Sequence, residues 1–331
     1  MPAKLFSFSF ILALLIGLNS CMDEGGRGKQ KSVGNTSEIL VVVQNEEQWD
    51  FRIGDVIREY LEQQQFGLNQ AETTFKLSHI TAASFSDMFQ KHRNLIIVNI
   101  DEKAPKATIE SITDYWAEPQ QIFRITAPSV DAFVEVFEKN ANTIIRKFNQ
   151  SERNRIVSVF KTATRSEVIE KIKHDAGLTF VVPADYSIAK SVPGFMWVRK
   201  EAAEYSQGFF IISEDYKDTA QFSTASIISR IDRYLKQYVP GSVDSSYMKI
   251  DEESLKPMAT LASDFLVEYA IELRGIWRVE HDFMGGPFVS YTFVNPNNNK
   301  IITLYGYVYK PNKEKRDLLK QVEAILYSVS F

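Results

Sequence analysis

Glu38-Ile39-Leu40-Val41-Val42-Val43-Gln44 is a compact, mostly β-branched run. After it the apolar positions Trp49, Ile53, Val56, Ile57, Tyr60 and Leu61 recur at helical spacing until Gly67. A β-branched run fits the pleated surface of a sheet, and a 3.6-residue period places one apolar stripe on a helix. The pair therefore predicts a strand followed by an amphipathic helix. Thr73 to Ile80 alternates, Leu95-Ile96-Ile97-Val98-Asn99-Ile100 is a buried-type run, and a short helix around Phe85 to Phe89 separates them. The order β-α-β-α-β predicts a layered α/β unit.

Downstream, Gln121-Ile122-Phe123-Arg124-Ile125-Thr126 reads as a strand ended by Ala127-Pro128. Ser129 is placed to cap a helix with Phe133, Phe137, Ala141, Ile144 and Phe148 on one face. A second helix is expected from Ser151, carrying Ile156, Phe160, Ala163, Val168 and Ile172 and stopping at Gly177. Beyond it come short strands (178–182, 195–199, 208–213) and a helix with Ile227, Ile231 and Leu235. A meander through 265–273, 276–279, 288–295 and 301–309 follows, and a helix from Leu318 to Val329 closes the chain. Asn297-Asn298-Asn299 supplies the last hairpin turn. The expected fold is an α/β unit over 37–176, then an α+β sandwich with an antiparallel sheet over 177–331.

The first 36 residues read as an address. Met1 to Lys4 is a short basic start, and Leu5 to Leu18 is an uncharged run too short for a permanent membrane span. Residues 1–20 are thus expected to be a signal peptide. Leu18-Asn19-Ser20-Cys21 resembles the lipobox of bacterial lipoproteins, in which the signal is cut before a lipid-bearing Cys; Asn19 departs from the small residue usual there. The chain has a single cysteine, and it is this one. Residues 21–36 form the lipidated Cys and a polar, Gly-rich tether. The expected location is the outer membrane, lipid-anchored, with either the periplasmic side or the cell surface open to the body. Asp23-Glu24 resembles the acidic export signals of surface lipoproteins in the Bacteroidota, and Asp218-Thr219-Ala220 resembles their O-glycosylation site, at Thr219.

The chain has 331 residues, 44% hydrophobic and 24% charged, enough for one or two cores and incompatible with disorder. With 38 basic and 42 acidic side chains the formal charge is -4, without the basic excess of a nucleic-acid binder. His79, His92, His174 and His281 show no metal-ligand spacing, and no second Cys exists. The expectation is therefore no metal and no cofactor. No Gly-x-Ser-x-Gly elbow occurs, and the Ser-x-x-Lys matches at Ser158, Ser187 and Ser246 lack their partner motifs. No catalytic residue is assigned. The acid pairs Glu46-Glu47 and Asp251-Glu252-Glu253 suit helix starts.

Two features stand above this background. Residues 146–173 hold eight basic side chains against three acidic ones, either a solvated helix pair or a face for anionic head groups. In Ile301 to Tyr309 the residues Ile301, Thr303, Tyr305, Tyr307 and Tyr309 share one strand face, while Ile302, Leu304, Gly306 and Val308 share the other. With Tyr291 and Phe293 on the preceding strand, that stripe is either an aromatic platform for a glycan or peptide, or a face covered by a helix such as the last one.

The segment Arg274 to Tyr291 is densest in chemistry. Gly285-Gly286-Pro287 reads as a turn, bringing Trp277, Arg278, Glu280, His281, Asp282 and Tyr291 together as a polar pocket or as the rim of a hairpin. The candidate binding residues are these six with Tyr305 and Tyr307. The leading reading is a non-enzymatic binding or assembly module, held at the membrane through Cys21, with an envelope protein or glycan as partner. The alternative is an envelope hydrolase with a dispersed site, in which His281 and a neighbouring acid serve as base and acid.

This segment, the lipobox and the helix–strand order resemble an uncharacterised lipoprotein family of the Bacteroidota, domain of unknown function family 4837. The family carries no assigned activity, so the resemblance implies location alone: the cell envelope, at the outer membrane. The second half, with its terminal Leu319-Lys320-Gln321-Val322-Glu323-Ala324-Ile325-Leu326, is similar in layering to the α-β-α sandwich of photosystem II subunit P and its Mog-type relatives. That resemblance implies a binding or assembly module.

Overall fold

The computed structural model describes residues 29–331. Cys21, the signal segment and most of the tether lie outside the described residues.

In the N-terminal domain, β1 (Glu38–Val43) leads into the helices α1 (Glu46–Asp50) and α2 (Arg52–Leu61). Asn45 caps α1 by accepting from the Gln48 amide, behind the expected Glu46-Glu47 first turn. There follow β2 (Lys76–Thr81), α3 (Asp87–Gln90), β3 (Asn94–Ile100), β4 (Thr108–Thr113), β5 (Gln121–Ala127) and α4 (Val130–Phe160). The sheet order is β2-β1-β3-β5-β4, parallel throughout except for the antiparallel edge β4. One face is sealed by α2 and α4, whose Ile53, Ile57, Phe133, Phe137 and Phe148 meet Val41, Ile96, Phe123 and Ile125. The other face buries Leu40, Val42, Leu95 and Ile122 beneath a thin cover that includes Phe85, Phe89 and Trp116.

The helix pair expected on either side of Ser151 is instead one 31-residue helix, capped by Ser129 as anticipated. It runs through Ser151 because Glu152 is buried and bonded to Arg155, Arg93 and Asn94, which holds that turn helical. The chain breaks after Phe160, and α5 (Ser166–Ala176) then ends at Gly177 in the left-handed conformation. Val168 and Ile172 of α5 enter the second core, and Phe160 at the end of α4 packs against it.

The C-terminal domain is a three-layer α/β/α sandwich. Its strands are β6 (Ser187–Val192), β7 (Phe195–Glu201), β8 (Ser206–Asp215), β9 (Met248–Ile250), β10 (Met258–Leu261), β11 (Ala270–Val279), β12 (Gly285–Asn295) and β13 (Lys300–Tyr309). They form one antiparallel sheet ordered β9-β11-β12-β13-β8-β7-β6, with β10 also paired to β11. On one face α5 and α7 (Arg316–Tyr327) cover Phe209, Ile211, Tyr291, Phe293, Ile302 and Leu304; on the other α6 (Thr224–Tyr238) covers Phe210, Phe288, Tyr305 and Tyr307.

Several local expectations are corrected. Residues 178–182 are not a strand, since Thr179 only bridges Ser330. Asp251-Glu252-Glu253 opens a turn, because the Asp251 carboxylate accepts from the Glu253 and Ser254 amides. Gly285-Gly286-Pro287 lies inside β12, and the reversal occurs one step earlier, at 280–284.

Candidate functional site

The tyrosine stripe is a helix-covered face, and the covering helix is α6 rather than the last one. Tyr305 is fully buried and Tyr307 nearly so. Tyr291 and Phe293 do not extend the stripe: register pairs Tyr291 with Leu304 and Phe293 with Ile302, which puts both on the α7 side of the sheet.

Where the stripe reaches the end of the sheet it opens into a pocket of about 320 Å³. Its walls include Trp197, Trp277, Met284, Tyr307 and Tyr309, with Val239 and Pro240 from the loop after α6. The rings come from three strands and lock one another: Trp197 Nε1 donates to Tyr307 Oη at 3.0 Å, and Trp277 stands edge-on to Tyr307 at 5.9 Å. Trp277 Nε1 crosses β12 to donate to the Val308 carbonyl at 3.2 Å. This crossing requires Gly286, since a Cβ there would lie 2.0 Å from the Val308 oxygen and 3.1 Å from the indole nitrogen. At the rim, the Arg199 guanidinium stacks 4.8 Å over Trp197 and pairs with Glu201 at 3.2 Å. The interior rings thus present apolar faces whose polar tips already have partners. Beside the pocket, on the 280–284 turn, Phe283 is wholly exposed.

The other predicted residues go elsewhere. Arg278 and Glu280 form a surface ion-pair ladder with Glu253 and Lys249, on the opposite strand face from Trp277. His281 is exposed at a left-handed turn position (φ 64°) and has no carboxylate in ion-pair range among the described residues. Asp282 bonds instead to Ser242 Oγ and the Phe283 amide. The hydrolase reading therefore loses its acid–base pair. Thr219 is exposed in a short 3-10 turn capped by Asp218. Trp277 and Tyr307 are the two predicted residues that the fold brings to one site.

The second concavity lies between the domains and was not visible in the sequence. It holds about 280 Å³ and is lined by α4, α7 and β11. Within it Glu323 bridges Arg274 at 3.1 Å and Arg153 at 3.5 Å, Arg274 also pairs with Glu272 at 2.6 Å, and Arg153 reaches Asp264. Tyr291 belongs here, donating to Glu272 at 2.8 Å. Burial pushes the Glu323 carboxyl up, but the two guanidiniums outweigh it and hold it below the usual carboxylate range. Beside the chain of ion pairs, burial pushes the Lys320 ammonium down to about 8. The residues lie 111 or more positions apart across the boundary, as Arg153 and Asp264 do, so no local spacing announces them.

Arg153 and Arg155, counted in the basic stretch, are consumed internally: Arg155 bonds to Glu152 and Asn94, and burial brings its guanidinium down to about 10. The remaining cations of that stretch are mostly exposed. Among the described residues no three His, Cys, Asp or Glu side chains gather as a metal site, and no helix is long and apolar enough to cross a membrane.

Comparison with known proteins places two domains in the chain. Residues 165–328 match the domain of unknown function DUF4837, and residues 32–161 match the domain of unknown function DUF8532. The junction between these matches coincides with the break between α4 and α5. No curated protein is matched. A solved structure, that of LpqN involved in cell envelope biogenesis of Mycobacterium tuberculosis, is similar at 13% identity and a TM-score of 0.27, over 46% of this chain and 82% of that one.

Proposed function

We propose that this DUF4837-containing chain is a lipid-anchored protein of the outer membrane, tethered through Cys21, whose C-terminal domain binds an apolar side chain of an envelope protein. The observation that carries the reading is the pocket between Trp197, Trp277 and Tyr307, with Met284 in its wall and the next residue, Phe283, wholly exposed. A sugar needs free donors and acceptors to replace its water, and here the Trp197 tip is spent on Tyr307 and the Trp277 tip on the Val308 carbonyl. An apolar guest needs none, and an exposed aromatic beside an apolar pocket is the anatomy of a protein contact. The signal-like segment and the Leu18-Asn19-Ser20-Cys21 sequence support the anchor. An exposed Thr219 is accessible for the O-glycosylation its motif suggests.

The test is photocrosslinking in native cells with a benzophenone side chain replacing Phe283, beside a Met284→Lys variant that puts a charge at the half-buried rim. One discrete adduct, lost with Met284→Lys while the fold is retained, supports the reading. Labelling that is absent or indifferent to Met284→Lys overturns it.

A further inference from the structure

The described chain begins at Lys29, eight positions after Cys21. It is pinned at once to the loop that precedes β5. Lys29 Nζ donates to the Asp114 carbonyl, Gln30 and Lys31 run parallel to Ala117 and Glu118, and Ser32 Oγ donates to the Pro119 carbonyl at 2.8 Å. Val33 then bridges His92, just after α3. Eight residues reach at most about 29 Å when fully extended. Whatever holds Cys21 is therefore close to this loop.

The surface at that point is apolar. Met88 is 66% exposed, Tyr115 56% and Val33 50%. Between them Trp116 stands edge-on to Tyr115 at 4.6 Å and to Phe85 at 5.5 Å, with Trp116, Phe85 and Phe89 all half-buried. Gln120 ties the segments together, its Nε2 donating to the Gln90 and His92 carbonyls at 2.7 Å each. This is the thinly covered side of a parallel sheet, a kind of sheet that normally has both faces layered over. Tyr and Trp rings with apolar neighbours suit the boundary between head groups and acyl chains. In the segments that form it, Lys29, Lys31 and Lys91 are offset by Asp87, Asp114 and Glu118, so the patch has no strong charge of either sign.

We infer that the patch formed by Val33, Phe85, Met88, Tyr115 and Trp116 is the face on which the protein rests against the bilayer. The inference depends on the lipid anchor proposed above. An anchor within about 29 Å of Lys29, beside one patch, presents that patch to the membrane more often than any other surface. The rings then add a second, weak membrane contact to the covalent one, and the contact is insensitive to salt because it does not rely on anionic head groups.

The experiment uses the full chain in its own membranes. Cys21 is the only cysteine, so an anchored wild-type chain offers no free thiol, and Met88→Cys adds a unique one for an environment-sensitive fluorophore. Asn297→Cys, exposed on the hairpin turn between β12 and β13, provides the control on the C-terminal domain. Blue-shifted emission at 88, quenched by head-group nitroxide lipid and absent at 297, is the expected result. A label at 88 that stays in the membrane fraction yet behaves like the one at 297 overturns the resting face and leaves the anchor standing. Shielding from water without quenching by lipid means that a protein covers the patch, and also overturns it. Retention of a Cys21→Ser chain in the membrane fraction, or a reactive thiol in the wild type, removes the anchor and this inference together.

Discussion

Lys320 Nζ, on the last helix, donates to Ser37 Oγ at 2.6 Å, immediately before the first strand of the other domain. Its remaining donors reach the Thr74 carbonyl at 3.2 Å and Asn149 Oδ1 at 3.3 Å, and the ammonium sits 4.7 Å over the Phe75 ring. Every acceptor is neutral. The ammonium is thus solvated by the N-terminal domain without being neutralised by it, and burial draws it down to about 8.

This gives stability a defined pH dependence. The folded chain releases the Lys320 proton near pH 8, whereas an unfolded lysine keeps it to about 10.4, so the unfolded state binds more protons in between and stability rises with pH. Between pH 7.5 and 9 the gain is about 1 kcal/mol. Above pH 10 the buried tyrosines, raised by burial, pull the other way. Urea denaturation at pH 7.5 and 9 checks this; Lys320→Met is expected to abolish the rise.

Asp232 on α6 behaves in the opposite sense. Burial pushes its carboxyl up to about 6, so the folded state holds the proton more tightly and stability falls as pH rises from about 4 to 6. Asn at this position keeps the acceptor for the Ile250 amide, 2.8 Å away. Asp232→Asn should therefore gain up to about 2 kcal/mol at pH 7.5 and nothing at pH 4. Thermal melts at the two pH values decide it.

Glu323→Gln strips the carboxylate shared by Arg153 and Arg274 and leaves two buried guanidiniums short of a counter-charge. The expected loss is about 3 kcal/mol at pH 7. Because Glu323 is held below its ordinary value, its stabilisation is present above the unfolded value and fades as pH falls through the folded one. Wild type and variant should converge in acid, as denaturation midpoints from pH 7 down to 3 would register.

Gly286→Ala drives a Cβ into the Val308 carbonyl and the Trp277 indole. We expect a loss of about 2–3 kcal/mol and a shift in tryptophan fluorescence as the pocket wall moves. Tyr307→Phe, which removes the hydroxyl that Trp197 and Ser206 bond to, should cost about 1 kcal/mol.

The layering of both domains was legible because apolar periodicity is strong in β1, α2, α6, β13 and α7. The edge strand β4 was missed: Thr-Ile-Glu-Ser-Ile-Thr buries little and reads as a polar loop. The sequence alone lets a new helix start at Ser151, but Glu152 has its partners 58 and 59 residues away, at Asn94 and Arg93, and they hold that turn within one helix. Trp277 and Tyr307 were found as aromatic side chains on strands, yet which sheet face each took depended on register, and register separated Tyr291 from them. The ion pairs between the domains join residues too distant in sequence for any spacing rule.

The N-terminus of α7 has no side-chain cap of its own. Glu72, from a loop of the other domain, accepts from the Lys315 and Arg316 amides at 2.7 and 2.9 Å. Five residues earlier, Gly67 abuts the Gly275 backbone, where a Cβ would lie 3.1 Å from its nitrogen and oxygen. The two halves meet through a cap that one lends to the other: α7, taken away from the N-terminal half, would lose the carboxylate that its first amides donate to.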